Sequence, residues 1–310
     1  MTLFSSLSRA RIPRAAFLFD AAEIAAVELG RGGSTFSLAA AARTPLGDGL
    51  LTPSFEATNI PDPGQLAAIV DETAGAAGLG KRQRWSVLLP EAALKSVVVS
   101  IDTVPATRTE LREMVEWKVE RLVGVAASEL RIARQFVETG NTPHFLVVAA
   151  RKAVLEEYES LFTMLDWRVG LAVPRYVGET AWLDWDTSGG DKLVVGARGA
   201  TCQAAFVRGG ELLLVRTIDG APERLADEIY RLALFFRDRL AEVPDAATIS
   251  GVFTCGPIDP ERVAAAVGDA LGTSPAVVHP IPTFLQTGTE VEVGPGLLAA
   301  AGLATQAWAR

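Results

Sequence analysis

The chain has little of what most catalytic and metal sites are built from. It has two cysteines and two histidines among 310 residues, and neither histidine has Cys, Asp or Glu partners at metal-ligand spacing. No serine lies in a G-x-S-x-G motif and no G-x-x-x-x-G-K-[S/T] loop occurs, so serine-hydrolase and P-loop chemistry have no support. Cys202 and Cys255 are far apart in sequence, which favours a reducing compartment and a core role for both.

Long apolar runs and an excess of positive charge are also lacking. No stretch reaches the roughly 18 continuous apolar residues of a membrane span, and no apolar signal-peptide segment follows the arginines of the basic tail, residues 1–15. The formal net charge is −8, whereas a nucleic-acid binder needs a basic surface to neutralise phosphates. With 49% hydrophobic residues, we expect a soluble protein with an ample core and no nucleic-acid partner.

Two segments of the chain share one plan, and this repeat decides the fold prediction. Residues 17–46 and 192–218 each contain an apolar run, a turn, a second apolar run, an Arg-Gly-Gly turn and a third apolar run. Apolar runs separated by glycine turns are typical of strands joined by hairpins. An internal duplication predicts two similar α/β halves with a cleft between them, where ligands usually bind. Chance similarity of short hairpins is the alternative.

The remaining pattern divides the chain into a first half, an insertion and a second half. Residues 16–92 read as three strands, a helix and a strand. Residues 93–173 follow the order β-α-β-β-α-β, which predicts a small inserted subdomain of the split βαβ type; its first helix begins with a capping box formed by Thr107 and Glu110. Residues 174–310 form the second half and end in an apolar helix that we expect to return to the first half.

Several short motifs of the chain resemble those of a known family. They lie on the first helix of the insertion and on the second-half hairpin: Glu110-Leu111, Trp117, Arg121-Leu122, Glu129, and the run Phe206-Val207-Arg208-Gly209-Gly210-Glu211-Leu212. Together with the duplicated halves, they resemble the actin-like (ribonuclease-H-like) ATPase fold and, more narrowly, the PilM family of actin-like assembly proteins of type IV pilus systems. The resemblance covers the chain from about Phe17 onwards. It implies an α/β fold with duplicated actin-like halves and an inserted small α+β subdomain.

The cell-division protein FtsA shares this fold, with a differently placed insertion, and is the nearest alternative within the resemblance. An FtsA-like polymerising protein would carry an amphipathic membrane helix at its C-terminus. The last residues, 306–310, do not have that pattern. The PilM-like interpretation is therefore favoured.

The resemblance implies a nucleotide site from which this sequence departs. Actin-like ATPases hold Mg²⁺ and phosphates with one Asp-x-Gly turn in each half, because the acid positions the metal and glycine lets backbone N–H groups approach. The first turn keeps the acid but loses the glycine, and the second loses the acid and carries an arginine at the glycine position. The candidate vestigial site comprises Asp20, Ala22, Glu23, Gly196, Arg198, Gly199 and, in the adenosine turn, Gly256. We expect weak or absent ATP and Mg²⁺ binding, no other cofactor and no catalytic residue; metal-free phosphate binding by Arg198 is the alternative.

The resemblance also implies a scaffold with protein partners. Such proteins lie in the cytoplasm at the inner-membrane face and capture the cytoplasmic N-terminal tail of a bitopic membrane protein, PilN, and contact with pilus assembly ATPases is a further option. A groove between the first half and the insertion would hold an extended peptide. The candidate partner-binding residues are Leu89, Val99, Ile101 and Trp117, for each of which a core role is the alternative. Peripheral membrane association would come through the partner, and homo-oligomerisation is left open.

The competing functional hypothesis is an enzyme of the same fold, an ATPase or phosphotransferase that uses ATP in the cleft between the halves. It would require an acid at position 196 or another base in the cleft. The sequence gives no sign of either. The scaffold of a type IV pilus or type II secretion-like machine is the preferred prediction.

Overall fold

The structure, a computed structural model, describes residues 12–101, 105, 107–137, 144–198, 201–219, 224–240, 247–279, 284–287 and 292–309, apart from the side chains of Arg198 and Asp219. The strands are β1 (Ala15–Phe19), β2 (Glu23–Gly32), β3 (Thr35–Pro45), β4 (Arg84–Leu89), β5 (Lys95–Ser100), β6 (Leu130–Val137), β7 (His144–Arg151), β8 (Arg168–Pro174), β9 (Asp191–Arg198), β10 (Thr201–Arg208), β11 (Glu211–Asp219), β12 (Ile249–Cys255), β13 (Ala276–Val277) and β14 (Leu285–Gln286). The helices are α1 (Pro63–Ala76), α2 (Arg108–Val123), α3 (Lys152–Met164), α4 (Arg175–Thr180), α5 (Leu225–Arg239), α6 (Pro260–Leu271) and α7 (Pro295–Thr305).

Two of the three sheets repeat one strand order. The first runs β3-β2-β1-β4-β8, with β14 added beside β3, and the second runs β11-β10-β9-β12-β13. In both, the first three strands are antiparallel and the following ones are parallel. The hairpin glycines Gly33, Gly209 and Gly210 have positive φ angles of 65°, 53° and 80°, which tight hairpin turns require. The duplication predicted from the repeated hairpins is confirmed, and with it the actin-like α/β fold.

The insertion between β4 and β8 forms the third sheet, in the order β5-β7-β6, with α2 on one face. Val115 and Val119 of α2 are fully buried against this sheet. The predicted capping box is present, because the Thr107 hydroxyl accepts from the Glu110 N–H and the Glu110 carboxylate accepts from the Thr107 N–H. This compact unit is the inserted small α+β subdomain.

The segment 152–173, predicted as the end of the insertion, lies elsewhere. Strand β8 pairs in parallel with β4 in the first sheet, and α3 packs against α1 and the core of the first half. The Phe162 ring of α3 lies edge-on to Phe17 of β1, with 5.6 Å between centroids, and Tyr158 is 5.5 Å from Phe19. The prediction for α3 and β8 is corrected, because the large apolar face of α3 is buried by the first sheet and not by the insertion.

Helices α4 and α7 cross at the junction of the two halves. Helix α4 contacts strands of both sheets, and α7 packs on β1, β2 and α4. A Cβ atom on Gly302 would collide with the Gly178 carbonyl oxygen, and one on Gly178 with that of Ala299, so only glycine permits this approach of two helix backbones. The Trp182 indole N–H donates to the Leu298 carbonyl at 2.9 Å. The crossing fixes α4, whose side chains enter the cleft.

The helices are short compared with a membrane span. The most apolar helix, α7, has 11 residues, whereas about 20 are needed to cross a bilayer. Within the described ranges, no helix combines the length and the apolar character that a span requires.

Candidate functional site: the cleft between the halves

The first phosphate-type turn joins β1 to β2 and is closed on itself. The backbones of Asp20 and Glu23 exchange hydrogen bonds at 3.0 and 3.3 Å. Asp20 Oδ1 accepts from the Ala22 N–H at 3.1 Å, so this N–H is already engaged. Glu23 faces the first turn of α7, because its Oε1 occupies the space that a Cβ on Gly296 would need. A carboxylate there is favoured by the helix dipole.

A buried arginine that the sequence analysis did not single out occupies the centre of the cleft. Arg175, the first residue of α4, donates from Nη1 to Asp20 Oδ2 at 2.6 Å and from Nε to Glu179 Oε1 at 3.1 Å. The exposed fractions of the Arg175 and Glu179 side chains are 3% and 2%, and that of Asp20 is 22%. Asp20, which was predicted to position Mg²⁺, is thus paired with Arg175 of the same chain.

At the second turn, the Glu179 carboxylate occupies the space that an acidic side chain at position 196 would need. Gly196 lies near the end of β9, between Gln203 of β10 and Cys255 of β12. A Cβ atom on Gly196 would collide with Glu179 Oε2, so an aspartate there is incompatible with the Glu179 position. Gly256, next to Cys255, has a φ angle of 97°, which glycine adopts readily. The structure therefore brings the two predicted turns and the adenosine turn together around Arg175 and Glu179.

Two of the predicted site residues are not placed by the structure in a way that tests them. Arg198 ends β9 and pairs with Thr201 through its backbone, and its side chain lies outside the described part of the chain. Gly199 also lies outside the described residues. Phosphate contact by Arg198 stays a prediction.

Carboxylates dominate the electrostatics of the cleft. Burial raises the pKa of Glu179 to about 7, with the attraction of Arg175 opposing the shift. Burial also raises the pKa of Glu91, which lies at the start of a short 3₁₀ segment after β4. Burial and the neighbouring Glu179 raise the pKa of the Cys255 thiol, so this cysteine is not an activated nucleophile. Among the described side chains of this cluster, Arg175 faces the three acids Asp20, Glu91 and Glu179, and protonation relieves the excess negative charge.

The described part of the cleft is narrow and lined mainly by hydrogen-bond acceptors. A cavity of about 20 Å³ in it is lined by Glu91, Glu179, Gly196, Thr201 and Gln203, which is room for about one water molecule. The buried Gln203 Oε1 has no hydrogen-bond partner among the described residues and adds another acceptor. Phosphates need donors and cations. No group of three or more His, Cys, Asp or Glu side chains in the described ranges is placed to hold a metal ion.

Three of the four candidate partner-binding residues belong to cores. Leu89 is 1% exposed and lies in the main core, whereas Val99 and Ile101, 1% and 2% exposed, lie between α2 and the third sheet. Phe55, from a loop of the first half, packs into the same second core and so joins the two units where a groove was predicted. The predicted partner role of these three residues is corrected, because they have no accessible surface to offer.

Trp117 is different, because it lies on the outer face of α2. Its side chain is 54% exposed, and Leu122 near the end of the helix is 59% exposed. The Arg121 guanidinium lies 5.1 Å from the Trp117 ring centroid. The exposed acids Glu110, Glu113 and Glu120 lie on the same helix. The outer face of α2, defined by Trp117, Arg121, Glu110, Glu113 and Glu120, combines a large apolar group with three acids and one arginine.

The sequence carried one signal for the cleft residues that were missed. Arg175 and Glu179 are four residues apart in the stretch 173–183, which is otherwise mostly apolar. Opposite charges at this spacing pair on one helix face, and charged residues in an apolar helix are rarely buried unless paired. The pairing with Asp20, 155 residues away, had no such local signal.

Solved structures share this fold. A chain of the PilM–PilN type IV pilus biogenesis complex matches with a TM-score of 0.73 and 18% identity, over 96% of this chain and 99% of that one. The cytoplasmic domain of EpsL, an inner-membrane component of the type II secretion system of Vibrio cholerae, matches with a TM-score of 0.49 and 10% identity, over 96% and 94%. A ROK hexokinase from Thermus thermophilus matches with a TM-score of 0.41 and 11% identity, over 95% and 97%. No protein-family model and no curated protein matches the chain. At these identities, the similarity to the PilM–PilN structure establishes a PilM-like, actin-like fold.

Proposed function

We propose that this chain is a PilM-like scaffold of a type IV pilus or type II secretion-like machine. It works in the cytoplasm at the inner-membrane face, captures the N-terminal cytoplasmic tail of a PilN-like bitopic protein and does so without nucleotide. The observation that carries the proposal is the end-to-end similarity in fold, 96% of this chain against 99% of its counterpart, to a protein found in a PilM–PilN complex.

The outer face of α2 supplies a surface suited to such a partner. A half-exposed tryptophan is the kind of residue that anchors interfaces, and here three acids and Arg121 share its helix face. Cytoplasmic segments next to a membrane span carry an excess of Lys and Arg. A basic tail with an apolar residue would therefore match both the charge and the indole of this face.

The test is titration of the purified chain with a fluorescent peptide that has the sequence of the N-terminal cytoplasmic tail of a PilN-like bitopic protein. We expect saturable binding that Trp117→Ala weakens at least about tenfold, as a central anchor does. Phe235→Ala is the matched control, because Phe235 is an exposed aromatic (36%) on a different helix, α5. Equal binding by a scrambled peptide, or none at millimolar peptide, would remove the partner part of the proposal.

The nucleotide part is tested by calorimetric titration with ATP, with and without Mg²⁺. We expect no binding heat at millimolar ATP, because the cleft offers phosphates acceptors and little space. Micromolar, Mg²⁺-dependent binding would contradict this expectation and favour the enzyme hypothesis, an actin-like ATPase or phosphotransferase.

A further inference from the structure

Arg175 connects elements from both sides of the cleft. Its guanidinium donates to Asp20 at the end of β1 in the first half and to Glu179 on α4. Glu179 in turn lies against Gly196 of β9 in the second half. The three side chains form a continuous bridge from the first sheet to the second.

The groups around this bridge make it costly to break. Glu179 is faced by Arg175 on its own helix, by Asp20 from the first turn, by Glu91 after β4, and by Cys255 from β12. Thr201 and Gln203 of β10 complete the cavity wall. Separating the arginine from its acids would leave unpaired charges in a poorly solvated place, which is far less favourable than pairing them.

We propose that Arg175 is an internal latch that holds the two halves closed on each other without any bound nucleotide. The same ion pairs occupy the space and the acid that a nucleotide and its metal would need, so closure does not depend on a ligand. The latch concerns the cleft and goes beyond the scaffold function, and it holds whichever partner binds elsewhere.

The chain contains its own reporter of cleft opening. Cys255 is 2% exposed beside Glu179, and the other cysteine, Cys202, is half-buried on β10. In a Cys202→Ser background, iodoacetamide can alkylate Cys255 only when the cleft opens or the chain unfolds. When reclosing is fast, the labelling rate reports the population of open molecules.

The experiment compares Cys255 labelling in this background with and without Asp20→Asn. The substitution keeps the size of the side chain and an oxygen for the Ala22 N–H, but removes the charge across the cleft. We expect the rate of Cys255 labelling to rise about tenfold. This lies between the small effect of removing an exposed ion pair and the large effect of removing a buried one. Asp20→Glu, which keeps the charge, should label more slowly than Asp20→Asn.

A control separates cleft opening from global unfolding. Val154→Ala truncates a buried residue of α3, away from the bridge, and its urea midpoint can be compared with that of Asp20→Asn. The latch predicts faster Cys255 labelling in Asp20→Asn than in Val154→Ala at equal global stability. Labelling of Asp20→Asn no faster than that control, or than the background, would overturn the proposal.

A second variant keeps the test decisive if Asp20→Asn folds poorly. Arg175→Lys keeps the positive charge, but its ammonium lacks the planar fork that reaches both acids. We expect about a threefold rise in labelling, and an unchanged rate would contradict the latch. The assay contains neither partner peptide nor ATP, so its outcome is independent of the tests of the scaffold function.

Discussion

In the cleft between the halves, charged side chains are buried and paired with each other, whereas α2 exposes a tryptophan and a leucine to solvent. Arg175 is 3% exposed and Trp117 is 54% exposed. Buried charged groups are stable only when they are paired, and in the cleft the paired groups belong to the same chain. Trp117 has Arg121 beside its ring but leaves about half of its surface to solvent. The comparison indicates that the described part of the cleft is closed by charged residues of the chain itself, whereas α2 leaves apolar surface exposed.

The largest expected effect comes from removing Arg175, the buried arginine of the cleft. Arg175→Met leaves Asp20, Glu179 and Glu91 without their cation, and we expect the free energy of unfolding to fall by about 3–5 kcal/mol. Urea denaturation followed by circular dichroism measures this. Arg112→Met on α2, whose pair with Glu116 is exposed, should change stability by less than about 1 kcal/mol. Similar losses for both variants would contradict the contrast between the two regions.

Gly196→Ala tests whether the missing acid of the second turn is explained by Glu179. The new Cβ forces Glu179 away from Arg175, and we expect a loss of about 2 kcal/mol from overpacking. Gly75→Ala is the control, because nothing lies within 4 Å of that Cβ on α1 and alanine favours helix, by about 0.5–1 kcal/mol. Chemical denaturation measures the free energy of unfolding of both variants. A neutral Gly196→Ala would mean that Glu179 can move freely.

The pH dependence of stability tests the charge excess in the cleft. The pKa of Glu179 is about 7 in the folded protein against a usual value of 4.5, so the stability from this group is present at low pH and lost as pH rises through 7. Between pH 5 and pH 8, the wild type should lose about 2 kcal/mol relative to Glu179→Gln, which does not titrate. Parallel urea midpoints across this range would show that Glu179 titrates normally.

The smallest expected effect is on the exposed side of the comparison. Trp117→Ala should change the free energy of unfolding by no more than about 0.5 kcal/mol, as is usual for substitutions at exposed positions. It should nevertheless weaken the binding of the partner peptide. Val119→Ala, buried on the same helix, should cost about 1–3 kcal/mol through the cavity it leaves. Thermal melts of the two variants compare them directly. A large loss for Trp117→Ala would indicate a packing role.

Local sequence patterns predicted most of the fold. The glycine turns identified the hairpins of both halves, and the Thr107–Glu110 capping box identified the start of α2. The sequence showed that both turns depart from the Asp-x-Gly pattern, at Ala22 and at Gly196. It did not show that Arg175 and Glu179 fill the space beside them, because these two residues lie in a separate helix. The partner candidates were less well predicted: Leu89, Val99 and Ile101 are buried, since an apolar residue on a strand gives no sign of which face is covered.

The sequence by itself determined the elements and their repetition, because turns, caps and apolar periodicity depend on residues a few positions apart. Only the tertiary structure decided that β8 pairs with β4 and not with the third sheet, and that Asp20 meets Arg175. Strand pairing and buried ion pairs depend on which segments the packed helices bring together. The crossing of α4 and α7 at Gly178 and Gly302 sets that geometry, and with it the occupation of the cleft by the chain's own charges.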